Sequence, residues 1–455
     1  MSKTIVAIAT PLAPAGLGVA RISGDQALAV AGRVFRPVSS EKRLADAPGY
    51  AAMYGHVFDA QGDIDECVAL VFRAPHSYTG EDTVELSCHG GLYLLRRTLR
   101  ALLDAGAEPA GPGEFTRRAF VNGKVDLTGA EAVADLIAAD GRLAAQTALA
   151  AREGAVYRRM QQVKESLLAV RSQMAAFVDY PDDDIPELAP ETLEITLCGA
   201  LSSLDELLAN FDAGRVLREG IDTVIAGSPN VGKSTLMNRL AGWERSIVTP
   251  VAGTTRDVVE ETVRLGEITL RLSDTAGIRE TGDLVEELGV QKARGRVDAA
   301  ALVLAVFDGS RPLDRDDREL AERLRDRTAI ALLNKCDRPP AADRDWLAAR
   351  FGAVIPLSAL TGEGIDALER AVSELTGVAR LSGSEPLLAN ERQRRCAKDA
   401  RGALAEALGA LRGGMTLDAV ETGVDAALSA LLALTGERAT EAVVDEVFAR
   451  FCVGK

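Results

Sequence analysis

The spacing of apolar residues along the chain divides it into regions of different texture. In the first 120 or so residues, short apolar runs alternate with glycine and proline, and the runs at 68–72 and 83–87 predict strands. From about Gly129 the apolar positions recur every three or four residues, which predicts amphipathic helices. These positions are Val163, Leu167, Val170, Met174 and Phe177, followed by Leu197, Leu201, Leu204, Leu208 and Phe211. The chain is therefore predicted to begin as α+β and to continue as helix.

A third texture lies between Ile221 and about Thr376, where short apolar runs alternate with helical segments. This alternation is typical of a doubly wound α/β domain. The runs span residues 223–226, 268–272, 301–307, 329–333 and 353–357. After Pro386 the helical pattern returns, and the last helix shows apolar residues at Val443, Val447, Phe448 and Phe451. We predict a multi-domain α/β protein whose α/β domain is inserted between two halves of one helical domain; two separate helical domains are the alternative.

This organisation gives four predicted segments. They are residues 1–120 (α+β), 121–217 (first helical half), 218–377 (inserted domain) and 378–455 (second helical half). A chain of 455 residues is long enough for two or three domains.

Composition narrows the class of protein. Hydrophobic residues make up 47% and charged residues 26%, which suits a globular protein. The formal charge of −15 argues against coating nucleic acid by charge alone. The six cysteines form no C-x-x-C pair and the three histidines have no zinc-ligand spacing, so a reducing compartment is expected. Since no run of 18 apolar residues occurs, we expect a cytoplasmic protein with no membrane span.

Residues 227–234 (GSPNVGKS) fit the phosphate-loop pattern G-x-x-x-x-G-K-[ST] and directly follow a predicted strand. In such a loop the backbone N–H groups surround a phosphate, the lysine reaches the β/γ oxygens and the final hydroxyl binds Mg²⁺. The lysine here is Lys233 and the hydroxyl belongs to Ser234. The residues expected to contact the nucleotide in this segment are Asn230, Val231, Gly232, Lys233, Ser234 and Thr235.

Three downstream segments complete a nucleotide site. Residues 274–277 (Asp274, Thr275, Ala276, Gly277) end an apolar run and supply an acid near Mg²⁺ and an N–H for the γ-phosphate. In the segment 334–337, which contains Asn334, Lys335 and Asp337, the aspartate can accept both N1–H and the exocyclic amine of guanine. Backbone N–H groups of Ser358, Ala359 and Leu360 can reach the guanine carbonyl. The order of these segments along the chain predicts a site that binds GTP.

The residues alone do not identify the catalytic group. Ras-like proteins place a glutamine directly after D-x-x-G to orient the attacking water. That position is Ile278, which cannot form a hydrogen bond through its side chain. The acids that follow at close range are Glu280, Asp283, Glu286 and Glu287, and the residues do not choose among them. Asn230 and the Gly-Thr-Thr segment after Val251 could hold a monovalent cation against the phosphates.

These segments resemble the MnmE (TrmE) family of bacterial tRNA-modification GTPases over nearly the whole chain. The matching motifs are 249–257 (TPVAGTTRD), 274–280 (DTAGIRE), 112–120 (PGEFTRRAF) and the ending 451–455 (FCVGK). The resemblance implies an N-terminal α+β domain like folate-binding domains, a helical domain, and a P-loop GTPase domain inserted in it.

The resemblance also implies ligands for particular residues. K⁺ would be held by Asn230, Thr249, Val251 and Thr254, and Mg²⁺ by Ser234 and Thr255. Pro250, Ala252 and Gly253 would complete the nucleotide-binding loop, and Glu286 would be the catalytic acid. A one-carbon tetrahydrofolate would be bound by Arg21, Glu85, Lys124 and Lys455. Cys452 is a candidate reactive thiol or a residue of a flexible tail.

The implied activity is modification of a tRNA. A homodimer, activated by K⁺ and by pairing of its GTPase domains, would act with an FAD-carrying partner of the MnmG type in a hetero-oligomer. It would add an aminomethyl or carboxymethylaminomethyl group to C5 of the wobble uridine. The alternative is an assembly GTPase that times ribosome maturation by conformational switching, which would have no reason to bind a reduced folate.

Overall fold

The computed structural model describes residues 3–179, 189–243, 260–273 and 300–455. Its contacts divide the chain into two units that are each discontinuous in sequence. Unit 1 comprises Met1–Ala134, Ala151–Ser202 and Arg395–Lys455. Unit 2 comprises Asp135–Ala150 and Ser203–Arg394.

The N-terminal part of unit 1 is a seven-stranded sheet with helices on both faces. The strands are β1 (Ile5–Ile8), β2 (Ala15–Ser23), β3 (Phe35–Pro37), β4 (Ala51–Asp59), β5 (Gly62–Phe72), β6 (Thr83–Gly90) and β7 (Glu108–Pro109), in the order β3-β4-β5-β6-β2-β1-β7. The helices are α1 (Ala27–Val34) and α2 (Leu92–Asp104) on one face and α3 (Glu114–Val121) on the other. Alternate residues of β6, such as Val84, Leu86 and Cys88, are buried in a core shared with α1 and α2. The predicted strands at 68–72 and 83–87 lie inside β5 and β6.

Fifteen helices, including those three, occur in the described ranges. Eight of the others lie between residues 127 and 219 or after residue 390. They are α4 (Leu127–Ala138), α5 (Arg142–Arg152), α6 (Ala155–Asp179), α7 (Pro190–Ala209), α8 (Phe211–Glu219), α13 (Glu391–Arg412), α14 (Leu417–Thr435) and α15 (Glu441–Ala449). The four between residues 233 and 375 are α9 (Lys233–Trp243), α10 (Arg315–Arg323), α11 (Arg344–Ala348) and α12 (Ile365–Leu375). No helix in the described ranges has the length and apolar character needed to cross a membrane.

Within unit 1, α6 packs against α14, which lies more than 200 residues later in the sequence. The predicted apolar face of α6 is buried at Val163, Leu167, Val170 and Met174. Ion pairs border the contact, with Arg171 Nε 2.6 Å from Asp425 Oδ1 and Lys164 Nζ 2.9 Å from Glu437 Oε2. Helical segments from before and after the inserted part of the chain therefore share one unit.

Unit 2 is built on a six-stranded sheet. Its strands are β8 (Ile221–Ala226), β9 (Glu260–Leu265), β10 (Ile268–Ser273), β11 (Leu302–Asp308), β12 (Ala329–Asn334) and β13 (Val354–Pro356), in the order β13-β12-β11-β8-β10-β9. All pairs are parallel except β9 with β10. β11 is buried along its whole length, because apolar cores lie on both faces of the sheet. This is the predicted doubly wound arrangement.

Two details differ from the sequence prediction. The predicted apolar pattern did not include β9, where polar residues alternate with the buried Val263 and Leu265, as expected of an edge strand. The spacing from Leu197 to Phe211 predicts one helix, but α7 ends at Ala209 and α8 begins at Phe211. Phe211 keeps the apolar spacing because its ring is buried at the start of the next helix.

Candidate functional site

The phosphate loop joins β8 to α9 and depends on two glycines for its shape. A Cβ at Gly227 would collide with the carbonyl oxygen of Val306 on β11. Gly232 has φ 103°, and a Cβ there would collide with the side-chain amide of Asn334. Asn230, between them, also has a positive φ of 62°. The loop therefore turns in a conformation that side chains disfavour, and its backbone lies close against two neighbouring strands.

Lys233 begins α9 and crosses the mouth of the phosphate loop. Its Nζ donates hydrogen bonds to the carbonyl oxygens of Gly227 and Ser228, both at 2.8 Å. Burial lowers the pKa of this ammonium group, because a charge is costly where water is excluded. An anion in the loop would compensate that cost. Ser234 and Thr235 are exposed on the first turn of α9, where a helix N-terminus also favours negative charge.

Asn334 connects the three predicted nucleotide loops. It ends β12 and its side chain is almost fully buried. The amide Nδ2 donates to the carbonyl of Val231 in the phosphate loop at 2.7 Å, and Oδ1 accepts from the N–H of Ala359 at 2.9 Å. One side chain thus fixes the distance between the loop predicted to hold phosphate and the two predicted to read the base.

Lys335 links the phosphate loop to Asp308 at the end of β11. It adopts φ 67°, and its Nζ donates to the carbonyl of Asn230 at 3.1 Å and to Asp308 Oδ2 at 2.6 Å. Burial acts to raise the pKa of Asp308, but hydrogen bonds from Lys335 and Ser310 outweigh it and lower that pKa. Asp337, two residues further on, is exposed to solvent and stands where a ligand can reach its carboxylate.

The loop after β13 is held by a residue that the sequence analysis did not single out. Ser358 and Ala359 are buried, whereas Leu360 is 70% exposed. Arg239 of α9 donates from Nε to the carbonyl of Ala359 at 3.1 Å, and from its guanidinium to the carbonyl of Leu360. A cleft of about 310 Å³ is lined by Arg239, Ala359 and Leu360, together with Thr235, Asn238 and Gly242. No motif marks Arg239, because its role follows only from where the loop lies in space.

Other predicted site residues lie outside the described ranges. They are Thr249, Pro250, Val251, Ala252, Gly253, Thr254, Thr255, Asp274, Thr275, Ala276, Gly277 and Glu286. The described part of the chain reaches Ser273 at the end of β10, which pairs in parallel with β8.

In unit 1, two of the predicted folate residues form an ion pair. Arg21 on β2 and Glu85 on β6 are directly opposite in the sheet register, with Nε 2.7 Å from Oε1. Each side chain is about one-fifth exposed. The Arg21 guanidinium also lies 5.8 Å from the ring centre of Tyr78 and 5.6 Å from that of Phe115. Neither ring is predicted as a site residue by the sequence patterns, although Phe115 belongs to the 112–120 motif.

The C-terminal residues of the chain lie against this ion pair. The N–H of Phe115 donates to the carbonyl of Lys455 at 3.1 Å, and Arg21 Nη1 donates to that of Gly454 at 3.4 Å. Cys452 is exposed, and its carbonyl accepts from the N–H of Gly113. The structure thus brings together Arg21, Glu85 and Lys455.

The fourth predicted folate residue, Lys124, is held by a different contact. Its Nζ donates to the carbonyl of Pro75 at 3.0 Å. Pro75 precedes Tyr78 by three residues, in the segment between β5 and β6.

Two models of protein families match the chain. A family model described as the GTP-binding protein TrmE N-terminus matches residues 4–124, and one described as the MnmE helical domain matches residues 127–452. The chain is 43% identical over 457 residues to the tRNA modification GTPase MnmE of Symbiobacterium thermophilum, covering 100% of this chain and 99% of that relative. The chain belongs to the MnmE family.

A second MnmE relative, from Geobacter metallireducens, is 41% identical over 461 residues and is covered completely, as is this chain. A solved structure of Era from Aquifex aeolicus, bound to GDP and aluminium fluoride, is 26% identical; the match covers 40% of this chain and 66% of Era, with a TM-score of 0.27. The predicted fold class is confirmed: a multi-domain α/β protein with an N-terminal α+β domain, a helical domain and an inserted P-loop GTPase domain.

Proposed function

We propose that this member of the MnmE family binds and hydrolyses GTP in the cytoplasm and uses the cycle to modify tRNA. The observation that supports the nucleotide part is the side chain of Asn334, which joins the phosphate loop to the loop after β13. The joined loops leave Asp337 exposed for a base and place the Lys233 ammonium across the phosphate loop.

In this proposal each loop contacts one part of GTP. Lys233 binds the β- and γ-phosphates. Their negative charge favours the protonated ammonium group, which burial of Lys233 disfavours. Ser234, with Thr255, holds Mg²⁺, whose charge offsets that of the phosphate oxygens. Asp337 accepts hydrogen bonds from the two N–H groups of guanine, and the backbone N–H of Leu360 is proposed to donate to the guanine carbonyl, since the N–H groups of Ser358 and Ala359 donate to Glu363 and Asn334.

Hydrolysis is proposed to depend on K⁺ and on a homodimer formed through the GTPase domains. Asn230 is exposed on the phosphate loop, and its carbonyl is already used by Lys335, so its side-chain oxygen is the group offered to a cation. Thr249, Val251 and Thr254 would complete the K⁺ site, since such an ion places positive charge where other GTPases use an arginine. Glu286 is the proposed catalytic acid.

The tRNA part of the proposal concerns unit 1. A one-carbon tetrahydrofolate has a glutamyl carboxylate and a pterin ring with N–H donors. Glu85, paired with Arg21, is the proposed acceptor for the ring N–H groups, and Lys124 and Lys455 are the proposed cations for the carboxylate. Support comes from the ion pair of Arg21 with Glu85 and from Gly454, next to Lys455, whose carbonyl accepts a hydrogen bond from Arg21.

In the complete reaction, an FAD-carrying partner of the MnmG type would join the homodimer. Together they would transfer the aminomethyl or carboxymethylaminomethyl group to C5 of the wobble uridine of certain tRNAs. Cys452, exposed beside the folate residues, is proposed as a thiol available to this chemistry.

The base-reading role is tested by Asp337→Asn in the full-length protein. An amide donates where the carboxylate accepted, so the variant should prefer xanthine to guanine nucleotides. Each hydrogen bond to a charged group is worth about 1.5–3 kcal/mol, so losing two should weaken GTP binding by ~10²-fold or more. Affinities for GTP and XTP are measured by titration calorimetry.

Asp326→Asn is the matched control, because it changes another exposed aspartate of the same unit. It should bind GTP as the wild type does. If Asp337→Asn also keeps its GTP affinity and gains none for XTP, the proposed base contact is wrong.

A further inference from the structure

The second residue of the phosphate loop makes a contact that no nucleotide motif requires. Ser228 Oγ donates a hydrogen bond to Asp317 Oδ1 at 2.7 Å. Asp317 lies in the first turn of α10, 89 residues further along the chain, and is 1% exposed. Burying a carboxylate is costly unless it is paired and hydrogen-bonded, so its position is closely determined by its partners.

The other oxygen of Asp317 is already occupied. Oδ2 lies 3.0 Å from Arg311 Nη1 and accepts from the N–H of Asp314 at 3.3 Å, while Asp314 caps the helix in return. The contacts with Asp314 complete a capping box, and Arg311 neutralises the charge of the Asp317 carboxylate. Oδ1 is therefore not needed to begin α10, and it is directed at Ser228 instead.

Ser228 connects Asp317 to Lys233, the lysine that is proposed to bind phosphate. Its carbonyl oxygen accepts from Lys233 Nζ at 2.8 Å, while its hydroxyl is held by Asp317. Rotation of the Ser228 peptide would break the contact with Lys233. A series of contacts thus runs from Arg311 through the buried Asp317 carboxylate and Ser228 to the ammonium group of Lys233.

We propose that Asp317 is a positioning residue for the phosphate loop, acting through Ser228 on Lys233. This inference rests on the proposed GTP site. Asp317 keeps the first turn of the loop in the shape that receives phosphate before any nucleotide arrives. Because the loop holds the β-phosphate of GDP and GTP alike, loss of the contact weakens both ligands by a similar factor.

The test uses Ser228→Ala in the full-length protein. One hydrogen bond to a charged group corresponds to roughly tenfold in affinity, so Kd for GDP and for GTP should each rise by about tenfold. KM for GTP should rise with little change in kcat, as expected when binding is lost equally from the ground and transition states. Ser228→Thr, which keeps the hydroxyl, should restore both values.

Asp317→Ala should also weaken binding, and the double variant Ser228→Ala/Asp317→Ala should bind no more weakly than Asp317→Ala alone, since each change removes the same hydrogen bond. Asp316→Asn is the matched control, because it removes an exposed acid from the same turn of α10. It should bind as the wild type does.

Three outcomes separate this inference from the proposed function. Wild type that binds GTP while Ser228→Ala binds it equally well would overturn the inference alone. Additive losses in the double variant would do the same. Wild type that binds neither GTP nor GDP would overturn the proposed function, and the inference with it.

Discussion

Asn334→Ala should destabilise unit 2 even in the absence of nucleotide. The substitution removes both hydrogen bonds of a buried side chain and leaves the Val231 carbonyl and the Ala359 N–H without these partners. Both of those residues are at most 2% exposed, so water cannot easily replace the lost groups. At about 1–3 kcal/mol for each unsatisfied group, the cost is about 2–6 kcal/mol.

A loss of this size is a large fraction of the ~5–15 kcal/mol that stabilises a typical domain. With a urea dependence of about 2 kcal/mol per molar, a central loss of about 4 kcal/mol lowers the midpoint of unfolding by about 2 M. Tryptophan fluorescence reports this transition selectively, since the two tryptophans of the chain, Trp243 and Trp346, both belong to unit 2.

Asn238→Ala is the matched control, as Asn238 is an exposed asparagine on α9 in the same unit. Its midpoint should stay within about 0.25 M of the wild type, the range expected of surface substitutions. If Asn334→Ala moves the midpoint no more than Asn238→Ala does, the two hydrogen bonds contribute nothing net, and Asn334 does not hold the loops together.

Two further predictions concern charge at the same loops. The lowered pKa of Asp308 contributes stability that is present above its unfolded pKa of about 3.9 and is lost as pH falls through the folded pKa. The unfolding free energy of wild type should therefore exceed that of Asp308→Asn at pH 7, with a gap that narrows towards pH 3; a constant gap in urea titrations would contradict this. GTP hydrolysis should be several-fold faster in KCl than in NaCl at equal ionic strength, and Asn230→Gly, which tolerates φ 62°, should remove the difference. Equal rates of the wild type in both salts would count against the K⁺ site.

Local sequence patterns were sufficient to predict the strands that position the nucleotide loops. β8, β11 and β12 are short apolar runs, because parallel central strands are buried on both faces. The loops at their carboxyl ends then fall at one edge of the sheet. β9 was not predicted, because an edge strand with one solvated face alternates polar with apolar residues and forms no continuous apolar run.

Contacts between distant segments could not be predicted in this way. The bond from Asn334 to Val231 spans 103 residues, and that from Ser228 to Asp317 spans 89. Both depend on which strands are neighbours in the sheet, and the order β12-β11-β8 is not written in any single segment. Arg239 likewise has an ordinary helical sequence context, and its importance follows from the loop beside it.

The division of the chain into interrupted segments has a consequence for synthesis. Unit 2 is complete once residue 394 has been made, whereas unit 1 also requires Arg395–Lys455, which are made later. Until then the apolar face of α6, including Leu167 and Met174, lacks the covering that α14 provides. The usual order of domains emerging and folding from the N-terminus is therefore reversed in part. A nascent chain whose residue 394 has just emerged from the ribosome would display a finished GTPase unit and an apolar helix that is still exposed, the kind of surface that chaperones bind.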